Sequence, residues 1–149
     1  MSYWDSSALV KLFVDENDSP QFEQFASGAA RVVTAALARF EVSTTFWRKQ
    51  AEGAIAAGDA EVFIQQFDAD IAGGEIEAVA LDDAVERQFA DVLKTCFSQT
   101  PPLLIRTNDA LHLASAKISG ETEFVTADTR QRAAALLLGF TVLPAAPWE

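Results

Sequence analysis

The chain has 149 residues, half of them hydrophobic, so it is long enough to bury a core and lacks the composition of a disordered protein. Its 22 acidic and 11 basic residues give a net charge of −11, which would repel a nucleic-acid backbone if it were evenly spread. No apolar run reaches the roughly 18 residues of a membrane span, and the single Cys96 cannot form an internal disulfide. We therefore expect a cytoplasmic protein with one domain over residues 1–149.

Short apolar runs alternate with longer stretches of helical spacing, as in a parallel sheet with helices on its faces. The first half predicts a strand at 2–4, a helix at 6–14, a helix from Pro20, a strand at 31–34 and a long helix at 35–57 that ends at Gly58. The second half predicts helices at 59–71, 82–97, 108–118 and 129–138 and strands at 77–81, 123–126 and 141–143. We expect a three-layer α/β/α domain with a central parallel sheet of four to five strands.

Three aspartates stand where predicted elements meet. Asp5 directly follows the first strand, Asp128 follows the strand at 123–126 with one residue between, and Asp109 stands at the start of a helix. Because ligands of open parallel sheets bind beyond the carboxyl ends of the strands, these carboxylates can meet there. Glu41 lies inside the long helix beside apolar neighbours, where a carboxylate costs free energy unless something pairs with it.

Grouped carboxylates raise one another's pKa unless a hard cation accepts their oxygens. Mg²⁺ or Mn²⁺ suits oxygen ligands, and the sequence has no Cys/His cluster for zinc. An ion held by Asp5, Glu41, Asp109 and Asp128 can orient and acidify a water and stabilise charge on a phosphoryl group. This chemistry describes hydrolysis of a phosphodiester.

Each of these residues also has an ordinary structural explanation. Asp5, Asp109 and Asp128 are good helix N-caps, because short side-chain oxygens accept hydrogen bonds from the first backbone N–H groups of a helix. Glu41 alone is typical of a solvated helix surface. His112, one turn beyond Asp109, is explained as a packed histidine that donates a hydrogen bond, with a catalytic role as the alternative. The prediction of chemistry depends on the four acids as a set.

Some basic and aromatic residues are further candidates for a site. Arg106 and Arg130 flank the proposed acids and are candidates for binding phosphate, whereas most other basic residues are explained as solvated surface. Phe40, Phe46 and Trp47 come at helical spacing and without a basic stripe. That pattern favours a core or a subunit interface over a base-stacking platform.

Four segments together resemble the PIN domain, in particular the VapC-like toxins of bacterial toxin–antitoxin pairs. They are residues 3–13 (YWDSSALVKLF), the helix that contains Glu41, residues 106–116 (RTNDALHLASA) and residues 125–128 (VTAD). The segments occur in the family's order and span nearly the whole chain. The resemblance implies a Mg²⁺- or Mn²⁺-dependent endoribonuclease, usually a homodimer, held inactive by an antitoxin that binds near the acidic pocket.

The resemblance also assigns residues. The family's acidic quartet matches the four acids named above, the hydroxyl after the first acid matches Ser6 or Ser7, and the hydroxyl before the last acid matches Thr126. Some members carry a further acid just after the fourth, where this chain has Thr129, Arg130 and Gln131. A second metal site therefore stays open.

Two other functions stay open as well. A phosphatase or phosphoryl-transfer protein would use Asp5 as its nucleophile, but such a site wants another acid two residues later, where Ser7 stands. A non-catalytic module would use the acidic pocket to bind a basic segment of a partner. The overall acidity favours this module, and the complete quartet disfavours it.

Overall fold

The computed structural model describes residues 1–29 and 31–145 and contains one five-stranded sheet. Its strands are β1 (Ser2–Trp4), β2 (Val32–Ala35), β3 (Ile76–Val79), β4 (Glu123–Val125) and β5 (Thr141–Leu143). Every neighbouring pair is parallel, and the strand order is β3-β2-β1-β4-β5. β1 is therefore the central strand, and the carboxyl ends of β1 and β4 lie side by side.

Helices cover both faces of this sheet. In the described part of the chain they are α1 (Ser6–Val10), α2 (Ser19–Gly28), α3 (Ala38–Ala51), α4 (Asp59–Gly73), α5 (Asp83–Phe97), α6 (Thr107–Ser119) and α7 (Thr129–Leu137). Within residues 1–29 and 31–145, no helix combines the length and the apolarity that crossing a bilayer requires.

Two separate cores lie on the two faces because successive side chains of a strand point in opposite directions. Tyr3 is buried with apolar residues of α5, α6 and α7, among them Cys96 and Leu113. Trp4 is buried on the other face with residues of α1 to α4, among them Val42 and Phe46. The predicted three-layer α/β/α fold with a parallel sheet is confirmed.

The predicted helix at 35–57 is wrong at both ends. Ala35 is the last residue of β2, and the N–H of Ala36 donates to the carbonyl of Val79 (2.8 Å), so sheet pairing continues past the strand. Gly53 adopts φ +78, which ends the helical path soon after Ala51. Gly58, predicted to end this helix, instead precedes α4.

Smaller differences occur elsewhere. The helix predicted at 6–14 ends at Val10, after which Leu12 and Phe13 donate to carbonyls only three residues earlier (3.0 and 3.1 Å). The strand predicted at 77–81 is β3 at Ile76–Val79. Asp109 is not the N-cap of its helix, since α6 begins two residues earlier and Arg106 holds the N-cap position.

Candidate active site

All four predicted acids line one cleft of about 720 Å³. Asp5 lies between β1 and α1, and Asp128 lies between β4 and α7, so the two neighbouring strands deliver these residues to the same edge of the sheet. The N–H of Asp5 donates to the carbonyl of Val125 at the end of β4 (3.2 Å). Glu41 projects from α3 and Asp109 from the first turn of α6. The site therefore lies where a parallel sheet is expected to bind a ligand.

Asp5 is almost fully buried, with 4% of its surface exposed. Its Oδ1 accepts hydrogen bonds from Ser7 Oγ (2.6 Å) and the N–H of Ala8 (3.1 Å), and its Oδ2 accepts one from Thr126 Oγ1 (2.5 Å). Burial raises the pKa of Asp5 above its ordinary value, although His112 and these hydrogen bonds oppose the rise. The fold thus holds this carboxylate rigidly in a place where a positive charge would stabilise it.

The raised pKa of Asp5 predicts how the stability of Asp5→Asn depends on pH. The folded chain binds the proton of Asp5 more tightly than the unfolded chain does. The penalty for the ionised carboxylate is therefore absent below the ordinary pKa of 3.8 and grows as the pH rises through the raised pKa. Without divalent ions, Asp5→Asn should unfold at a higher temperature than the wild type at neutral pH, with a gap that closes in acid. Calorimetry in EDTA across pH measures this gap, and a gap that does not change with pH would contradict the explanation.

Glu41 is held by side chains from two other helices. Its Oε1 accepts hydrogen bonds from His112 Nε2 (2.6 Å) and Ser6 Oγ (2.7 Å), and its Oε2 accepts one from Asn108 Nδ2 (3.2 Å). Burial raises the pKa of Glu41, but the hydrogen bonds and charge of His112, with the hydrogen bonds of Ser6 and Asn108, outweigh it and lower the pKa below its usual value. Glu41 is therefore a carboxylate at neutral pH, aimed into the cleft.

His112 connects Glu41 to the central strand. The imidazole is buried, and its Nδ1 lies 2.7 Å from the hydroxyl oxygen of Tyr3, a residue of β1 with no exposed surface. Burial, together with the charges of Asp5 and Glu41, raises the pKa of Tyr3, so its hydroxyl stays protonated. Nε2 donates to Glu41, while Nδ1 accepts from the hydroxyl of Tyr3 when the ring is neutral and donates to it when the ring is protonated. His112 is thus packed and donates a hydrogen bond, as the sequence predicts.

Asp109 and Asp128 face each other across Arg106. Oδ2 of Asp109 accepts from the N–H of Arg106 (3.2 Å), and Nε of Arg106 lies 3.5 Å from the same oxygen. Nη2 of Arg106 lies 3.9 Å from Oδ2 of Asp128. Gln131 links these two residues, because its side-chain Nε2 donates to the backbone carbonyl of Asp109 (3.0 Å) while its backbone N–H donates to Oδ1 of Asp128 (3.0 Å).

The four carboxylates line one cleft, but their oxygens are not arranged around a common metal position. Among residues 1–29 and 31–145, no group of three or more His, Cys, Asp or Glu side chains is placed to hold one metal ion. Each acid is instead turned toward the hydrogen-bond donors described above. Holding one ion among them requires some of these side chains to rotate.

The predicted supporting residues contact the acids, but only one of the two predicted phosphate-binding arginines lines the cleft. The hydroxyl of Ser6 donates to Glu41, and those of Ser7 and Thr126 donate to Asp5. Arg106 lines the cleft. Arg130 is not among the described residues that line it, although the backbone N–H of Arg130 donates to Oδ1 of Asp128 (2.8 Å).

Sequence reasoning missed Tyr3 and Asn108 as parts of the site. The signal for Tyr3 is a hydroxyl in a strand predicted to be buried, since such a group needs a partner. The signal for Asn108 is its place directly before Asp109 at the start of a helix.

Two of the four acids are also helix N-caps, as their alternative explanation predicts. Oδ1 of Asp5 accepts from Ala8 in α1, and Oδ1 of Asp128 accepts from Arg130 and Gln131 in α7. Capping and lining the cleft are therefore compatible, because a carboxylate has several lone pairs. The cap also fixes where each aspartate points.

The parallel sheet, the flanking helices and the acidic cleft at the carboxyl edge define an α/β protein with a carboxylate-rich candidate active site. The sequence model of the PIN domain matches residues 2–137, and the chain belongs to this family. No curated protein sequence matches the chain significantly.

Two solved structures share the fold. One is VapC20 of Mycobacterium tuberculosis, a toxin that cleaves the sarcin-ricin loop, with a TM-score of 0.70, 17% identity and coverage of 95% of this chain and 97% of that one. The other is PAE2754 of Pyrobaculum aerophilum, with a TM-score of 0.58, 17% identity and coverage of 96% of this chain and 90% of that one. At this identity, the similarity shows the fold alone.

Proposed function

We propose that this chain is an endoribonuclease that hydrolyses phosphodiester bonds of RNA with Mg²⁺ or Mn²⁺, and that it is the toxin of a toxin–antitoxin pair. The observation that carries the proposal is that Asp5, Glu41, Asp109 and Asp128, from four separate segments, line one cleft. Membership of the PIN domain family and the shared fold with the toxin VapC20 support it.

The cleft suits a hard divalent cation in the chemistry of its donors. Its lining offers carboxylate oxygens and one imidazole but no thiolate among the described residues, and the buried Asp5 is stabilised by any nearby positive charge. Asp5, Asp109 and Asp128 would hold the ion, and Glu41 would help to position the ion or the attacking water. Such an ion supplies Lewis-acid stabilisation of charge on the phosphate and makes a water molecule more acidic.

The protein's own residues orient these groups. Ser7 and Thr126 fix the carboxylate of Asp5, while Ser6, Asn108 and His112 fix that of Glu41, so both acids are preorganised before a substrate arrives. Arg106 adds a positive charge beside Asp109 and Asp128. A phosphate that enters the cleft can accept hydrogen bonds from this guanidinium.

The proposal also covers the domain count, oligomeric state, location and inhibitor of the protein. We propose one domain over residues 1–149, a homodimer in the cytoplasm, and inhibition by an antitoxin that binds near the acidic cleft. The resemblance to VapC-like toxins supports the dimer and the antitoxin. The number of metal ions stays open, because Thr129, Arg130 and Gln131 stand where some relatives have a further acid.

The proposal is tested by the metal dependence of cleavage. The purified chain should cut single-stranded RNA with Mg²⁺ or Mn²⁺, stop in EDTA and recover when the ion is added in excess. Mn²⁺ should also stabilise the fold, by about 2.7 kcal/mol at one hundred times its dissociation constant. Gel analysis and thermal unfolding measure the two effects. Cleavage that persists in EDTA would reject the metal, and the absence of both effects would favour the binding module.

A further inference from the structure

α3 continues along the cleft beyond the acidic residues. Residues seven apart in an α-helix lie on nearly the same line, about 10.5 Å apart along the axis. Arg48 stands in this relation to Glu41, and Thr45 lies between them; all three line the cleft. Trp47 stands in the same relation to Phe40, on a line about 100° around the helix from the first. Arg48 and Phe40 both line the cleft, and Trp47 lies beyond Phe40 on the same line of α3.

Arg48 differs from the other cations of the cleft in its surroundings. Lys11 is paired with Glu16 (3.3 Å) and Asp18 (2.8 Å), and Lys49 is paired with Glu16 (3.5 Å). Arg106 is paired with acids of the site itself, as described above. The side chain of Arg48 is exposed and forms no ion pair with any residue in 1–29 or 31–145. Its guanidinium is free to bind the anion of a ligand.

Two aromatic side chains of α3 are open to solvent beside this cation. Phe40 lines the cleft and is 74% exposed, and Trp47 is 46% exposed. Phe46, the residue before Trp47, is fully buried in the core, so α3 carries one aromatic ring that packs in the core and two that are exposed. The ring of Phe40 in the cleft and the exposed ring of Trp47 two turns further along α3 are available for planar ligands.

We propose that Phe40, Trp47 and Arg48 form a nucleotide-binding subsite on α3, which holds unpaired nucleotides next to the scissile phosphate. Phe40 and Trp47 stack on bases, and Arg48 binds a phosphate further along the strand. This inference rests on the proposed ribonuclease function and adds the residues that hold the substrate. Exposed aromatic rings and an unpaired arginine are features by which proteins bind single-stranded nucleic acid. A paired strand does not fit, because its bases stack on each other.

The subsite also explains how a chain with a high negative charge can bind RNA. The chain carries a net charge of −11, and a nucleic acid needs local contacts that do not depend on the overall field. Stacking on aromatic rings is insensitive to net charge, and one unpaired arginine supplies the phosphate contact. The acidic end of the same cleft is compensated separately by the divalent ion of the proposed function.

The experiment measures binding of a fluorescein-labelled, single-stranded oligouridylate with phosphorothioate linkages, which are hydrolysed slowly in Mg²⁺ because sulfur is a poor ligand for this hard cation. Fluorescence anisotropy in Mg²⁺ compares the wild type with Phe40→Ala, Arg48→Ala and Arg48→Lys. Arg39→Ala, which removes an exposed cation of α3 outside the cleft, and Val62→Ala, which removes an exposed apolar side chain of α4, are the matched controls. Circular dichroism checks that each variant is folded.

Phe40→Ala should weaken binding about tenfold, in the range for loss of one stacked base. Arg48→Ala should weaken RNA binding. It should also make the fall of log affinity with log salt concentration less steep by about 0.7, the value for one phosphate contact on a single strand, whereas Arg48→Lys should leave the steepness unchanged. In cleavage of unmodified RNA, both alanine variants should raise KM and leave kcat unchanged. The controls should bind and cleave as the wild type does.

Three results would overturn the subsite. If the wild type cleaves RNA and the Phe40 and Arg48 variants bind and cleave as well as the controls do, the subsite is rejected and the ribonuclease proposal stands. If the wild type neither binds nor cleaves RNA, both are rejected. If Phe40→Ala leaves RNA affinity unchanged but turns a dimer into a monomer in sedimentation, this face of α3 is a subunit interface instead.

Discussion

Asp5→Asn is expected to reduce kcat/KM for RNA cleavage by at least about 100-fold, or about 2.7 kcal/mol at 1.36 kcal/mol per factor of ten. Asparagine has the same size and keeps an oxygen that can accept the hydrogen bond from Ala8, so the start of α1 is retained. It removes the negative charge that a divalent cation needs. The loss should therefore appear in a folded protein.

The matched control for this variant is Asp91→Asn, which removes an exposed aspartate of α5 outside the cleft. Steady-state kinetics at saturating Mg²⁺ compare the two variants with the wild type. The control should keep full activity, because screening by salt weakens the effect of a distant surface charge. Undiminished cleavage by Asp5→Asn would reject the assignment of this residue, and an equal loss in Asp91→Asn would show that net charge is responsible.

Phe46→Ala is expected to lower the free energy of unfolding by about 3–5 kcal/mol. Phe46 has no exposed surface, and its ring packs edge-to-face on Phe13 and Phe63, with centroids 5.4 Å away in each case. Removing the ring leaves a cavity beneath α3, the helix that carries Glu41. Because small proteins have a total stability of only about 5–15 kcal/mol, this is a large fraction of it.

Phe40→Ala is the matched control for this prediction, since it removes the same side chain from the same helix at an exposed position. It should change the free energy of unfolding by no more than about 0.5 kcal/mol. Urea denaturation with a common slope measures both changes. Equal losses in the two variants would contradict the division of α3 into a packed face and a free face.

The sequence predicts the sheet well because its strands are short apolar runs bounded by polar residues, Gly or Pro. β1 and β5 are found at the predicted residues, and β4 is one residue shorter than predicted. The end of β2 is missed because Ala35 belongs to a run rich in helix-forming residues. Its conformation is decided by hydrogen bonds to β3, which lies some forty residues later in the chain. Local propensity cannot report such a pairing.

The four acids could be predicted because each stands next to the end of an element or on a face with apolar neighbours. The residues that hold them are harder to find, because their roles depend on contacts across the fold. Tyr3 and His112 are 109 residues apart, and Ser6 and Glu41 are 35 apart. Spacing along the chain shows none of these pairs. The rotations that would gather the carboxylates on one ion are likewise set by side-chain packing.

The strand order has a consequence for how the protein is made. β1 lies at the centre of the sheet, between β2 and β4, so residues near the start of the chain pair with residues near its end. A ribosome releases the chain from the N-terminus onward, at about 5–20 residues per second. Until β4 has left the exit tunnel, Asp5 has neither Thr126 nor Asp128 beside it. Under the proposed function, the nascent chain therefore cannot cleave RNA until β4 has been made and has joined the sheet.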